Sequence, residues 1–331
     1  MTALGYNCSK PECSIAATGK CLELHEPSSC PHAKPMTIAV PAGKPVTQDK
    51  VAARVFRPAT ELGLKDAQTI MCGSYTHVVA ILGATDAGKT CMLNALYLLA
   101  SHAGLSPRFK FAGSLTLQGF ELRTRRLRKW ESGKLPEQLA DHTTHADPRN
   151  PGLLHLALCD STKGMRRFEL LLTDLPGEWT TGLIERAQYA DRFKFLQRAD
   201  GLVIAIDGRK LWDVDKKQAE LLNLEHLVDR LREAVKLDLS IPIFFVACKA
   251  DASGVEIPPG LERAVAHAKA KGYDARAVAV ASFSHNPDEV KNGYGIQSLV
   301  ESIIDYQRPR NLLPKICPQP TRSFGRSLGT T

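Results

Sequence analysis

The segment HVVAILGATDAGKTCMLNALYLLASHA, residues 77–103, constrains the fold more than any other part of the chain. An apolar run over 77–83 reads as a strand buried on both faces. The residues from Lys89 to Ala103 carry the apolar period of a helix, and one glycine-bounded loop joins the two. Within it GATDAGKT fits the pattern G-x-x-x-x-G-K-[ST] from Gly83 to Thr90, in the strand-loop-helix setting that gives this pattern its meaning. Glycines at 83 and 88 let backbone N–H groups close around phosphate oxygens at the positive end of a helix. Lys89 would reach the outer phosphates of a nucleotide and the Thr90 hydroxyl would ligand Mg²⁺. Asp86 and Cys91 belong to the same loop and the first helical turn. For Asp86, capping of the loop and proximity to a bound cation are equal readings, and neither gives it a catalytic role.

Downstream, apolar runs alternate with amphipathic stretches. Strands are expected at 153–160, 167–175, 201–208, 241–250 and 276–283, and helices at 213–235, 260–272 and 295–307. Strands apolar on both faces and separated by helices imply an α/β fold with a mostly parallel sheet flanked by helices. The runs at 153–160 and 167–175, joined by STKGMR, read instead as an antiparallel hairpin. The expected organisation is a Cys-rich module over 1–35, a proline-rich linker over 36–74 in which LKDAQTIMCG forms a short helix, a nucleotide-binding domain over 75–307, and a basic tail over 308–331 expected to be disordered. No internal repeat is visible, which disfavours a solenoid or propeller.

Three further segments bear on the nucleotide. LLLTDLPGE ends a strand with Asp174 and puts Gly177 three residues on. Asp174 would hold Mg²⁺ through water, and the Gly177 N–H would sense the γ-phosphate. ACKAD follows the run IPIFFV, so Lys249 and Asp251 fit a guanine clamp: a carboxylate accepts from both N1–H and the 2-amino group of guanine, and the Lys249 stem covers the base. VASF at 280–283 ends the next strand and offers Ser282 near the guanine carbonyl.

These four elements, in this order and each at a strand end, resemble the Ras-like P-loop GTPases of the translation-factor-related class, over roughly residues 75–307. FAGSLTLQGFEL, the long stretch before LLHLAL, and DLPGEW resemble the bacterial double-GTPase family found in predicted conflict or defence gene clusters. The resemblance implies GTP/GDP and Mg²⁺ as ligands, a molecular switch that hydrolyses GTP, and a protein effector or co-encoded partner. Its catalytic residues would be Lys89, Thr90 and Glu178. An adaptor that holds nucleotide with little turnover is the competing reading.

Three departures qualify this. Cys248 stands where Asn or Thr tethers the base-binding loop, and a thiol is a poor donor. Glu178 replaces the glutamine that orients attacking water, so slow intrinsic hydrolysis is expected, with a helix-capping role for Glu178 an even alternative. About 85 residues separate Lys89 from Asp174, which places an insertion in the first switch region. The insertion contains ELRTRRLRKWESGK, with Arg123, Arg125, Arg126, Arg128, Lys129 and Lys134. Three readings stand for it: an arginine supplied in cis to the phosphoryl group, with Arg125 and Arg126 the test positions; a basic partner surface; or the solvated face of a helix starting near Gly119. The switch threonine is Thr143, Thr144 or the more distant Thr116.

Cys8, Cys13, Cys21 and Cys30 crowd a segment too small for a core, which favours structural Zn²⁺ over an iron–sulfur cluster or free thiols; His25 and His32 are nearby alternatives. The net charge of +8 suits an acidic partner, but Lys249 and Asp251 weigh against an ATP-dependent enzyme acting on nucleic acid, and no stacking platform is evident. No G-x-S-x-G is present, no apolar run is long enough to span a bilayer, and the first residues lack a signal core. The expected location is cytoplasmic.

Overall fold

In a computed structural model of the chain, residues 3–10, 26, 28, 30–38, 60–103, 105–125 and 151–306 are described. Contacts divide it into two compact units, Met1–Phe56 and Arg57–Thr331. In the first, β1 (Ala3–Cys8) and β2 (Ala33–Ile38) pair antiparallel. Cys8 lies opposite Ala33, whose N–H donates to the Cys30 carbonyl at 3.1 Å, so these two cysteines share one end of the hairpin. Cys13, Cys21 and His25 lie outside the described residues, among which no group of three His, Cys, Asp or Glu side chains is arranged to hold a metal. The tail over 308–331 also lies outside them.

The second unit is built on β3 (Thr76–Leu82), β4 (Phe109–Gly113), β5 (Leu153–Asp160), β6 (Arg166–Thr173), β7 (Gly201–Asp207), β8 (Ile243–Cys248) and β9 (Ala275–Val280). Among the described residues they form one sheet in the order β4-β5-β6-β3-β7-β8-β9. The five strands from β6 to β9 in that order run parallel, while β5 pairs antiparallel with both β6 and β4. The fold class and the β5–β6 hairpin are as expected from the sequence. The edge strand β4 was not expected: it has five residues, and its pairing shifts register between Phe111 and Gly113, so it shows too few alternations to be read.

Every residue of β3, β7 and β8 is buried, as strands covered on both faces must be. Alternation sorts their side chains into two cores, with Phe245 facing one and Phe244 the other. The first core lies under α4 (Gly177–Glu185), α6 (Val214–Glu233) and α7 (Leu261–Ala270). The second lies under α2 (Lys89–Leu98), α3 (Leu117–Thr124) and α8 (Ile296–Ile304). Helix α5 (Gly208–Trp212) is a single turn after β7. The segment expected to be a linker ends in α1 (Leu64–Gly73), and Leu62, Ala67 and Ile70 form a third small core with Val78, Leu153 and Leu171. Among the described residues no helix is long and apolar enough to cross a membrane.

Candidate functional site

The loop between β3 and α2 is held by its own lysine. Lys89 is buried, and its Nζ donates to the carbonyls of Gly83 at 2.9 Å and Ala84 at 2.8 Å. Burial pulls its amine below the ordinary lysine range, against the opposing pull of Asp174 and Glu178. Asp86 occupies the loop tip in a left-handed conformation, φ 63°. Cys248 packs against this loop, since a Cβ added at Gly88 would lie 2.9 Å from the Cys248 Cβ and 3.2 Å from its Sγ. The Cys248 side chain therefore lies against the Gly88 backbone. Burial pushes its thiol up to about 12 and the Cys91 thiol up to about 11, so both stay protonated near neutral pH.

Asp174, 1% exposed, follows β6, and its Oδ1 accepts from the Thr90 hydroxyl at 3.3 Å. A hydroxyl and a buried carboxylate oxygen meeting beside the loop are the hard oxygen donors that Mg²⁺ takes. Gly177 opens α4 directly against the loop: a Cβ there would come within 2.2 Å of the Thr85 backbone nitrogen, so no larger residue fits. Two more contacts fasten this turn to the loop. The Gly83 N–H donates to the Thr180 hydroxyl at 3.1 Å, and the Thr85 hydroxyl donates to Glu178 at 3.2 Å. Glu178 is exposed in the first turn of α4, where the helix dipole favours its charge.

Of the insertion's basic residues, Arg123 and not the test position Arg125 is the one whose side chain meets Asp174 among the described residues. Arg123, at the end of α3, donates through Nε to Asp174 Oδ2 at 3.1 Å and through Nη1 to the Gly119 carbonyl at 3.2 Å, and its Nη2 pairs with Glu61. Arg125 is exposed at the helix end, and Arg126, Arg128, Lys129 and Lys134 lie outside the described residues. Arg123 was legible only as one charge in a basic run; helical phase alone does not say which of them turns inward. Thr116 is fully buried, and its hydroxyl accepts from the His155 N–H at 2.8 Å. That bond holds the turn entering α3; Thr143 and Thr144 lie outside the described residues. The same turn is held by Leu115 N–H donating to His155 Nδ1 at 2.9 Å, which leaves the ring proton on Nε2, facing Glu169 at 2.8 Å.

On the opposite side of the loop, Lys249 links three elements. Its Nζ donates to the Asp86 carbonyl and to Asp207 Oδ2, each at 2.7 Å. Asp207 ends β7, opposite Cys248 in the sheet register, and also takes Arg209 through Nε at 3.1 Å and Nη2 at 2.9 Å. Burial raises the Asp207 carboxyl, but its Arg209 and Lys249 partners outweigh that and hold it below the ordinary range. Asp251 has a nearly buried carboxylate whose Oδ2 accepts from the His285 N–H at 3.2 Å and faces His285 Nδ1 at 2.7 Å. Ser282, buried two residues past the end of β9, lies three residues before His285. Asp207 and His285 were not singled out from sequence. A strand-ending acid and a polar residue just past the Ser282 segment were the available signals, and both are common.

The loop residues Gly83, Asp86, Gly88, Lys89, Thr90 and Cys91, the pair Asp174 and Gly177 with Glu178, and the pair Lys249 and Asp251 with Ser282 thus gather at the carboxyl ends of β3, β6, β8 and β9. Cys8 and Cys30 belong to the other unit.

No curated protein matches this chain significantly. Solved structures that align include Methanosarcina barkeri Roco2 RocCORdC bound to GDP, at 15% identity and TM-score 0.37 over 70% of this chain and 50% of that one. The G domain of the T. maritima FeoB iron transporter aligns at 16% identity and TM-score 0.35, over 70% of this chain and 99% of that one. The Chaetomium thermophilum signal recognition particle receptor SRb-GTP/SRX complex aligns at 14% and 0.38, over 68% and 97%. The chain therefore spans about half the length of the Roco2 protein. The profile of the family described as Double-GTPase 2 matches residues 77–304, well over half the chain, and the protein belongs to that family.

Proposed function

We propose that this protein binds GTP with Mg²⁺ at the carboxyl ends of β3, β6, β8 and β9, hydrolyses it slowly, and signals its state to a protein effector. The observation that carries this reading is the Lys249 bridge. One side chain joins the phosphate loop, through the Asp86 carbonyl, to Asp207 at the end of β7, which supports reading the phosphate and base contacts as one site. In this reading Lys89 exchanges its two loop carbonyls for the β- and γ-phosphates, and the Gly177 N–H marks the γ-phosphate position. Asp251 accepts from guanine N1–H and the 2-amino group, with Ser282 near the guanine carbonyl. Thr90 and Asp174 would hold Mg²⁺, which neutralises charge on the outer phosphate oxygens.

The test is equilibrium binding of fluorescent GTP and ATP analogues with Mg²⁺, competed by GDP, in wild type, Lys89→Ala and Asp251→Ala. Guanine-selective binding that Lys89→Ala abolishes and Asp251→Ala makes unselective is expected. Tight binding by Lys89→Ala, or ATP binding indifferent to Asp251, refutes the assignment.

A nucleotide-loaded adaptor is the second reading, favoured by Glu178: its carboxylate is engaged by Thr85 and adds negative charge beside the γ-phosphate position. Multiple turnover of GTP by the chain alone excludes it. The double-GTPase resemblance further suggests a role in bacterial conflict, for which loss of the gene should change phage plating; unchanged plating across a broad phage panel removes that role. We also read Cys8, Cys13, Cys21 and Cys30 as a structural zinc site, supported by Cys8 and Cys30 sharing one hairpin end. Natively purified protein should carry one zinc per chain, and metal-free protein with four titratable thiols in this segment refutes it.

A further inference from the structure

Arg123 is a largely buried arginine on the Asp174 side of the site, held among anchored neighbours. Its side chain is 17% exposed and lies between Asp174, 1% exposed, and Glu61, 21% exposed. The helix that delivers it is pinned at both ends. At Gly119 a Cβ would come within 1.9 Å of the Thr60 carbonyl, so α3 lies flush against the strand segment carrying Glu61. That segment is bonded in turn to β5, with Leu62 N–H to the Leu153 carbonyl at 2.9 Å and the reverse bond at 3.1 Å. At the other end, Asn94 of α2 donates to the Arg123 carbonyl at 3.3 Å. Most importantly, the carboxylate that takes Arg123 Nε on Oδ2 takes the Thr90 hydroxyl on Oδ1. A single carboxylate group separates the guanidinium from the phosphate loop.

We propose that Arg123 is the catalytic arginine of this site, supplied in cis from the insertion, stored on Asp174 and Glu61 and turned to the γ-phosphate when a nucleoside triphosphate is bound. The inference rests on the reading of the site as a GTPase. In hydrolysis the water oxygen forms a bond to the γ-phosphorus while the bond from that phosphorus to the β–γ bridging oxygen breaks, and the water proton passes to the released phosphate. Arg123 transfers nothing; it donates hydrogen bonds to oxygens whose charge grows in the transition state. A triphosphate carries more negative charge than the single carboxylate of Asp174, so it can draw the flexible side chain off Oδ2 without disturbing the anchored helix. The same cation offsets the repulsion that Glu178 adds near the γ-phosphate.

The experiment compares wild type, Arg123→Ala, Arg123→Lys and Arg125→Ala by single-turnover hydrolysis of saturating Mg·GTP, by affinity for a non-hydrolysable GTP analogue, and by affinity for GDP with aluminium fluoride. Arg123→Ala and Arg123→Lys should each slow hydrolysis at least about 100-fold and lose the fluoride-dependent gain in affinity, while analogue affinity stays within about threefold. Arg123→Lys keeps a cation beside both carboxylates and so guards against simple misfolding, and added guanidinium should partly restore Arg123→Ala. A structural brace would instead lower melting temperature and nucleotide affinity while bound GTP turned over at the normal rate, which overturns the proposal. Loss of hydrolysis on Arg125→Ala with Arg123→Lys unaffected overturns it as well. If wild type binds no guanine nucleotide, the parent reading fails and this one with it; if wild type binds and hydrolyses GTP and both Arg123 variants match it, only this inference fails.

Discussion

Replacing Asp207 by Asn isolates the contact that joins the base-side lysine to the sheet. The substitution keeps the shape and, with the amide oxygen in the Oδ1 place, an acceptor for the Arg209 N–H, which Asp207 caps at 3.1 Å, while the charge is removed and an NH2 group takes the Oδ2 place. The Arg209 Nε bond is left with a neutral acceptor, and the Arg209 Nη2 and Lys249 bonds to Oδ2 are lost, because donors there would face donors. A bond to a charged group contributes about 1.5–3 kcal/mol, which bounds what a fully desolvated Oδ2 bond loses, against about 1 kcal/mol for a bond that keeps a neutral acceptor. The two Arg209 bonds count for little, because that side chain is 58% exposed and solvent screens it. The Lys249 bond is the sheltered one, with partners 29% and 7% exposed. The expected loss of stability is about 1–2 kcal/mol, read as a lower urea midpoint at unchanged slope. The same energy, if spent on holding Lys249 in place for the base, corresponds to about tenfold weaker guanine-nucleotide binding. Because the folded Asp207 carboxyl lies below its unfolded value of about 3.9, its contribution is complete above that value and fades as pH falls through the folded one. The variant and wild type should therefore differ at pH 7 and converge in strong acid. Identical urea midpoints and identical GTP affinity at pH 7 would refute the bridge as a working part of the site.

The cysteines give a chemical readout of burial. With thiols at about 11 and 12, Cys91 and Cys248 should be alkylated at pH 8 at least about 100-fold more slowly than exposed Cys72, as mapped by mass spectrometry; comparable rates would show that the loop opens readily. Gly177→Ala should slow GTP hydrolysis by more than about tenfold with GDP affinity little changed, because its Cβ would collide with Thr85, and unchanged kinetics would mean the α4 turn is free to withdraw. Phe245→Ala, at a fully buried position of the first core, should cost about 3–5 kcal/mol in denaturant unfolding; a loss under about 1 kcal/mol would mean the core collapses around the gap.

How far the sequence carried depended on the range of the interaction concerned. The strand, loop and helix from 76 to 98 are fixed locally, by apolar period and glycine placement, and the parallel strands by apolar runs that only a doubly covered sheet accepts. Asp174, Gly177, Lys249 and Asp251 were legible because each sits at a fixed offset from the end of such a strand. Edge strand β4 was not, because five residues with a register shift leave no period to detect.

What the tertiary structure decided were pairings between residues far apart in the chain. Arg123 meets Asp174 across 51 positions and Glu61 across 62, His285 meets Asp251 across 34, and Lys249 meets Asp207 across 42. Thr116, the more distant candidate for the switch threonine, has its hydroxyl bonded to the His155 backbone 39 positions on. Local propensity sets where an arginine or a threonine falls along a helix or turn. Only packing of that helix against its neighbours sets which carboxylate it reaches, since the energy of such a contact depends on burial and distance, which a linear pattern does not encode.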